Sequence, residues 1–248
     1  MTMDSMTNDA ERIAEVCDRF LPLKTARLHR AYFYKSLPFC VIDAVYSIGT
    51  SYSSAVAVID RYGERFDLER YRESDAYPSR AEQQSIAEFL EIVGDLDPQR
   101  IADEIFGNRQ RTSPRGGILK AEAVLRFART LAKHGVDHFQ DIPTVLGSAA
   151  FAHDILAIPG QGVSLRYFFT LAGTEETIKP DRVIFRFVSD ALGRNVFESE
   201  ALTLLTETVA LLRPRYPHLT LRLLDATIWE MRDIYERIRP AILAYRRG

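Results

Sequence analysis

A chain of 248 residues, 46% hydrophobic and 27% charged, has enough apolar residues to bury one large core or two smaller ones. Its net charge of −2 at pH 7 excludes binding to nucleic acid through overall positive charge, so such binding would need a local basic surface. The two cysteines, Cys17 and Cys40, form no CxxC pair, which argues against a cysteine-ligated zinc or iron–sulfur site and against a disulfide framework.

Helical periodicity begins near the N-terminus and continues through the first hundred residues. Apolar residues recur at helical spacing over residues 9–21, 38–48, 53–62, 79–93 and 98–106. Ser79, with Glu82 three residues later, forms a capping-box pattern, which favours one continuous helix from residue 79 to residue 93.

Residues 107–117 (GNRQRTSPRGG) interrupt this pattern. They combine Gly, Pro, Ser and Asn with three arginines and have no apolar period, which predicts a loop. Helical spacing then returns over residues 118–134, 141–147, 149–157, 163–172, 182–192, 199–212 and 220–245. A brief strand-like alternation at residues 219–224 runs into a helical pattern, so the expected fold class is all-α.

Metal sites and membrane segments are not expected. His134 and His138 are four residues apart, as in some metal sites, but Gly135 indicates a helix end and favours surface histidines near a C-cap. No apolar run approaches the roughly 18 residues of a membrane span, and the first residues are polar and acidic, unlike a signal peptide. The expected location is cytoplasmic and nucleoid-associated, or nuclear in a eukaryote.

The segment Ile158-Pro159-Gly160-Gln161-Gly162 connects two of the predicted helices. Its glycines allow a tight turn and leave backbone N–H groups exposed at the start of the second helix. Such N–H groups form an anion site suited to one DNA phosphate. A plain helix–helix turn would use the same residues, so the pattern alone supports either interpretation.

Asp181 directly follows Pro180 and begins the pattern D-x-x-x-F-R. An aspartate in this position is typical of a helix N-cap. A fixed carboxylate can also stabilise the positive charge that develops on a sugar when its glycosidic bond breaks, and it can orient water. The two roles are compatible, because capping would hold the carboxylate in place.

The order of these features resembles the helix-hairpin-helix DNA glycosylase superfamily, which includes endonuclease III-like and MutY-like enzymes. The features are a buried helix in VIDAVYSIGTSYSSAVAVIDRY, a helix opening with Lys120-Ala121-Glu122, the PGQG hairpin and Asp181. The resemblance covers roughly residues 38–193, and the hairpin and the aspartate are its specific parts. It implies a two-lobed all-α fold, with residues 40–180 in one lobe and residues 1–39 and 181–248 in the other, across an active-site cleft.

The resemblance implies a DNA glycosylase that flips a modified or mismatched base out of the duplex and hydrolyses its N-glycosidic bond. Gly160 and Gly162 match the hairpin glycines, and Asp181 matches the family's essential aspartate. Bifunctional members have a lysine where this chain has Ser164, so we expect a monofunctional enzyme without lyase activity. Lys179 is the amine nearest to Asp181 in the sequence.

The candidate DNA contacts lie in the hairpin and among basic residues of the loop and of the helix after Asp181. They are Gly160, Gln161, Gly162, Ser164, Arg109, Arg111, Arg115 and Arg182. The family's gap-filling glutamine would fall near Gly49, so another residue must fill the gap left by a flipped base. The candidates for a base pocket or wedge are Tyr34, Tyr46 and Tyr52, for which a position in the core is the competing interpretation.

Double-stranded DNA is the expected partner, and the protein is expected to be a monomer. No cofactor is expected beyond a monovalent cation that the hairpin could hold. A catalytically inactive DNA-binding or damage-sensing protein of the same family is the alternative, and a purely structural helical protein is a third class.

Overall fold

Helices provide the regular secondary structure of this protein in the residues that the computed structural model describes, which are 3–160, 162, 164–173 and 182–245. Within those residues, two isolated bridges are the only strand-like pairings, one between Tyr34 and Tyr71 and one between Arg111 and Leu119. The expectation of an all-α fold is therefore confirmed for the described part of the chain.

Thirteen α-helices follow one another in the described residues. They are α1 (Met3–Phe20), α2 (Leu37–Tyr46), α3 (Tyr52–Arg65), α4 (Ile86–Val93), α5 (Pro98–Arg100), α6 (Lys120–Lys133), α7 (Ile142–Val145), α8 (Ala149–Leu156), α9 (Ser164–Leu171), α10 (Arg182–Leu192), α11 (Glu198–Leu212), α12 (Leu221–Glu230) and α13 (Tyr235–Tyr245). Short 3-10 or π turns lie between some of them. No described helix has both the length and the apolar character that a membrane crossing requires.

The chain divides into two compact units. Arg30–Gly173 form one, here called the hairpin unit, and Met1–His29 with Thr174–Gly248 form the other, the terminal unit. The boundaries expected from the sequence were at residues 39/40 and 180/181. Residues 30–39 are therefore placed differently, and residues 174–180 lie outside the described residues. Residues 30–39 pack in the hairpin unit because Lys35 N donates to Arg70 O and Arg72 N donates to Phe33 O, both at 2.8 Å.

Two of the long helices that the sequence predicts are interrupted. Residues 79–93 contain a 3-10 turn at Arg80–Glu82 and then α4, because a second capping box follows the first. The backbone N–H of Ser85 donates to Glu88 Oε2 at 2.7 Å, which starts a new helix. Residues 220–245 likewise form α12, a 3-10 turn at Met231–Asp233 and α13.

Helix α2 is the centre of the hairpin unit, and all ten of its residues are buried. It packs against α3, α6 and α9. A helix buried on every side leaves its last carbonyl groups away from water, where they need hydrogen-bond donors. Lys120, only 2% exposed, supplies one: its Nζ donates to Tyr46 O, of the last residue of α2, at 2.9 Å, and to Ile48 O, just beyond the helix, at 2.7 Å.

In the terminal unit, α1 packs along α10 and α11. Apolar residues from these helices and from α12 and α13 form its core; they include Ile13, Cys17, Phe187, Leu204, Leu224 and Ile242. Arg194 bridges Asp9 of α1 and Glu200 of α11, which adds an ionic link between the same two helices.

The two histidines weighed as metal ligands have protein partners instead. His134 is the C-cap of α6, as the sequence predicts, and its Nε2 lies 2.8 Å from Asp154 Oδ2. His138 Nδ1 lies 3.1 Å from Arg80 Nη1. Among the described residues, no group of three or more His, Cys, Asp or Glu side chains is arranged to hold a metal ion.

Asp141 contributes to the stability of the hairpin unit in a way that depends on pH. Hydrogen bonds from Arg80, then from the backbone N–H groups of His138 and Asp137, hold the pKa of Asp141 at about 2. Because this pKa is lower than in the unfolded chain, the stabilisation is complete above about pH 4 and is lost as the pH falls toward 2.

We expect wild-type protein to lose about 1–2 kcal/mol more stability than Asp141→Asn between about pH 5 and pH 2, a figure discounted for the solvent exposure of Arg80. Urea unfolding at a series of pH values measures this difference. Asp95→Asn, at an exposed position in the same unit, is the control and should follow the wild type. Identical pH profiles for Asp141→Asn and wild type would contradict the assignment.

Candidate nucleic-acid interface

Helices α8 and α9 are separated by residues 157–163, of which 157–160 and 162 are described. Ser148 caps α8, with its Oγ accepting from Phe151 N at 3.3 Å, and Ile158 is buried just after the helix ends. Gly160 has φ +82°, a conformation that residues with a side chain rarely adopt. The described part of the PGQG motif therefore lies between two helices and turns at Gly160, while Gln161 and Val163 lie outside the described residues.

The two hairpin glycines meet different surroundings. A Cβ on Gly160 would lie 2.7 Å from Thr112 Cβ, so the turn packs directly on the arginine-containing loop. Among the described residues, a Cβ on Gly162 would meet only Leu156 Cδ2, at an ordinary 3.8 Å. The sequence interpretation gave both glycines one role, but of the two, only position 160 requires a glycine in the described part of the fold.

The loop that carries the three arginines is closed on itself. Thr112 N donates to Ile118 O at 2.9 Å, beside the bridge between Arg111 and Leu119. All three arginines are exposed: Arg109 pairs with Asp103, Arg111 Nη1 donates to Gly117 O at 2.7 Å, and Arg115 lies at the tip. The guanidinium groups are thus presented from a fixed loop.

The segment between α2 and α3 lies against the same loop. Gln110 Nε2 donates to Thr50 Oγ1 at 3.3 Å and to Ser54 Oγ at 3.4 Å. Lys120 Nζ donates to Gln110 Oε1 at 3.3 Å, in addition to its bonds with the carbonyls that end α2. Tyr52, at the first position of α3, is 41% exposed.

These contacts join three segments into one feature, here called the three-loop cluster (residues 47–54, 108–119 and 157–160). Each segment contributes exposed residues. Together they contain three arginines and no carboxylate, although the chain as a whole has net charge −2, and one of the three, Arg109, is paired with Asp103 outside the cluster. A locally basic surface with accessible backbone suits the phosphate backbone of a nucleic acid.

A buried carboxylate lies beneath the cluster. Asp43, 1% exposed, accepts hydrogen bonds from Tyr34 Oη at 3.0 Å, from Tyr167 Oη at 3.3 Å and from Ser47 Oγ. Burial, and then the Asp43 carboxylate, raise the pKa of both tyrosines well above its usual value, so each remains a neutral donor. Because Tyr167 belongs to α9 and Ser47 follows α2, Asp43 links the hairpin to the segment that carries Tyr52.

Two of the three candidate pocket tyrosines are core residues in this structure. Tyr34 stacks on Tyr71 with ring centroids 5.3 Å apart, and Tyr46 lies edge-on to Phe106 at 5.4 Å. Both side chains are fully buried, so neither presents a ring face to a ligand. Both therefore lie in the core, as the competing interpretation had it. Of the three candidates, only Tyr52 is exposed.

The remaining candidates are placed as follows. Ser164 begins α9 and is fully buried, and its Oγ has no hydrogen-bond partner among the described residues, so its side chain offers no surface contact. Arg182 begins α10 in the terminal unit and is exposed. The catalytic candidate Asp181 and the neighbouring Lys179 lie outside the described residues.

Some residues that build this surface were given no role from the sequence, and two of them had a signal. Asp43 is the only charged residue in LPFCVIDAVY, which marks a buried polar group. Lys120 occupies the first turn of a helix, where the positive end of the helix dipole makes a cation unfavourable. A lysine at this position therefore indicates a specific partner for its ammonium group. Gln110 and Thr112 had no such signal, because their contacts are with distant residues.

The structure predicts that alanine destabilises the protein at Gly160 and has almost no effect at Gly162. Gly160→Ala should lower the free energy of unfolding by about 1–3 kcal/mol, since it combines a positive φ with a clash against Thr112. Gly162→Ala should stay within about 0.5 kcal/mol of wild type. Chemical unfolding of the two variants tests this, and equal losses would show that the packing difference is unimportant.

A family model described as a domain of unknown function, DUF8548, matches residues 11–233. No curated protein and no solved structure matches the chain. The matched range runs from α1 to the 3-10 turn after α12 and contains the whole three-loop cluster. The protein therefore belongs to the DUF8548 family.

Proposed function

We propose that this protein is a monofunctional DNA glycosylase with the two-lobed helix-hairpin-helix fold, which flips out a modified or mismatched base and hydrolyses its N-glycosidic bond. The observation that carries the proposal is the three-loop cluster. It combines a helix–turn–helix containing a positive-φ glycine, a fixed loop with three arginines, and an exposed tyrosine. A protein that flips a base out of duplex DNA can use each of these, for backbone approach, phosphate neutralisation and stacking near the bases.

The hairpin is proposed to hold one phosphate. Helix α9 starts just after Gly162, and N–H groups at a helix start favour an anion. Glycine at position 162 is not required by the fold, so its value lies in letting a ligand approach the backbone. A monovalent cation held by the turn is compatible with this role. Arg109, Arg111 and Arg115 would neutralise neighbouring phosphates, with duplex DNA bound to a monomer.

The chemistry is assigned to Asp181 on the resemblance to the glycosylase superfamily. As the glycosidic bond breaks, the base leaves with the bonding electrons, and positive charge develops on the sugar. The Asp181 carboxylate would stabilise that charge and orient a water molecule, whose oxygen bonds to C1′ while a proton is released. Ser164 carries no amine that could form an imine with the sugar, so an intact abasic site is the product.

A catalytically inactive DNA-binding or damage-sensing protein is the second candidate. The three-loop cluster supports binding and supplies no chemistry of its own, which is the observation that favours it. The two candidates differ in one outcome, which is whether a bound base is released.

Gly162→Leu should weaken binding to all duplexes alike, on the order of tenfold, because the side chain blocks phosphate approach. The slope of log affinity against log salt concentration, which is negative, should also decrease in magnitude by about 1. Fluorescence anisotropy at several salt concentrations measures both quantities. Ala150→Leu adds similar bulk at an exposed position of α8 outside the cluster and should bind as wild type. A loss confined to one lesion would instead place Gly162 in a base pocket.

A panel of duplexes, each with one modified or mismatched base, tests the activity through the abasic sites that form. We expect wild type to release at least one base, and Asp181→Asn to release none while binding DNA within several-fold, because Asn keeps the size but removes the charge.

Borohydride during turnover should trap no protein–DNA adduct. A trapped adduct would overturn the monofunctional assignment, and its loss in Lys179→Ala would identify the amine. Binding without release on every duplex would favour the inactive alternative.

A further inference from the structure

We propose that Gln110 is a positioning residue that holds Tyr52 in place for insertion into duplex DNA, an inference that rests on the proposed function. Tyr52 is the exposed aromatic residue of the three-loop cluster. An aromatic ring that enters a base stack does so at lower entropic cost when its backbone is already fixed.

The residues directly before Tyr52, 49–51, have little support from their own side chains. Gly49 has φ +62°, and a Cβ there would meet no atom of the described residues within 4 Å. Ser51 is the N-cap of α3, but its side chain does not cap the helix and lies instead 3.1 Å from Ser53 Oγ. A helix start without a side-chain cap is prone to fray.

Gln110 supplies the missing support from another part of the chain. Its Nε2 group donates to Thr50 Oγ1 and Ser54 Oγ, two residues before and two residues after Tyr52. The amide therefore spans the turn that carries the ring, and both contacts cross from residue 110 to a segment about sixty residues away in the sequence.

The amide of Gln110 is itself fixed in one orientation. Lys120 Nζ lies 3.3 Å from Gln110 Oε1, and an ammonium can only donate, so the oxygen must face Lys120 and the NH₂ group must face the hydroxyls. The backbone of Gln110 is held too, since its N donates to Asn108 Oδ1 at 2.9 Å and its O accepts from Lys120 N at 2.8 Å.

The same ammonium also binds the carbonyl of Ile48, at the start of the Tyr52 segment. Lys120, Gln110 and the segment therefore form one closed set of contacts around Tyr52. Gln110 is exposed, so its replacement tests the set without opening the core.

A double-mutant cycle tests the proposal, with Gln110→Met, Tyr52→Ala and both together. Methionine keeps the length of glutamine and removes its hydrogen bonds. We expect Gln110→Met to weaken binding to a duplex with a tetrahydrofuran abasic-site analogue about fivefold. In the Tyr52→Ala background the same change should have no effect beyond about twofold, because the ring it positions is gone. Gln99→Met, at an exposed position outside the cluster, is the control.

Hydrogen exchange without DNA gives a readout that does not depend on the proposed function. The amides of Ser54 and Ala55, which donate to Ser51 O, should exchange faster in Gln110→Met and unchanged in Gln99→Met. If wild type binds no DNA, the proposed function fails, while the exchange data still decide whether Gln110 orders the segment. Unchanged exchange in Gln110→Met, or full additivity of the two substitutions in the cycle, would overturn the positioning role.

Discussion

The burial of helix α2 on every side is the constraint on which the hairpin unit depends. Such a helix places its final carbonyl groups where water does not reach them, and an unpaired buried carbonyl costs roughly as much as a lost hydrogen bond. The ammonium of Lys120 donates to one of these groups, at Tyr46, and to the carbonyl of Ile48 just beyond the helix. Since Lys120 opens α6, this requirement brings the loop before α6 against the segment after α2.

The surface of the hairpin unit follows from that contact. The loop carrying the three arginines contacts the segment of Tyr52, because Gln110 donates to Thr50. Thr112 of the same loop packs against Gly160. Asp43 adds a second buried polar centre, joining α2 to α9 through Tyr167. Buried polar groups with every partner in place specify one arrangement of the elements around them. The three loops are thus positioned by the core, as a binding surface requires.

Local patterns predicted most of the helices and the turn at the PGQG motif, because periodicity and glycine chemistry are short-range properties. The same reasoning merged residues 79–93 into one helix, since it stopped at the first capping box and overlooked Ser85 with Glu88. It also named Tyr34 and Tyr46 as pocket candidates beside the alternative of a core position, and both side chains are buried in the core. The contacts of Lys120, Gln110 and Thr112 join segments tens of residues apart, and no local pattern encodes them.

The central claim is that the three-loop cluster is a surface for duplex DNA, and a hydrogen-exchange footprint tests it most directly. Wild-type protein would be compared with and without excess duplex at low salt, where phosphate contacts are strongest. The account predicts slower exchange in the three segments of the cluster, residues 47–54, 108–119 and 157–160, with exchange in the buried helix α2 unchanged. Tight DNA binding that leaves the exchange of all three loops unaltered would contradict it.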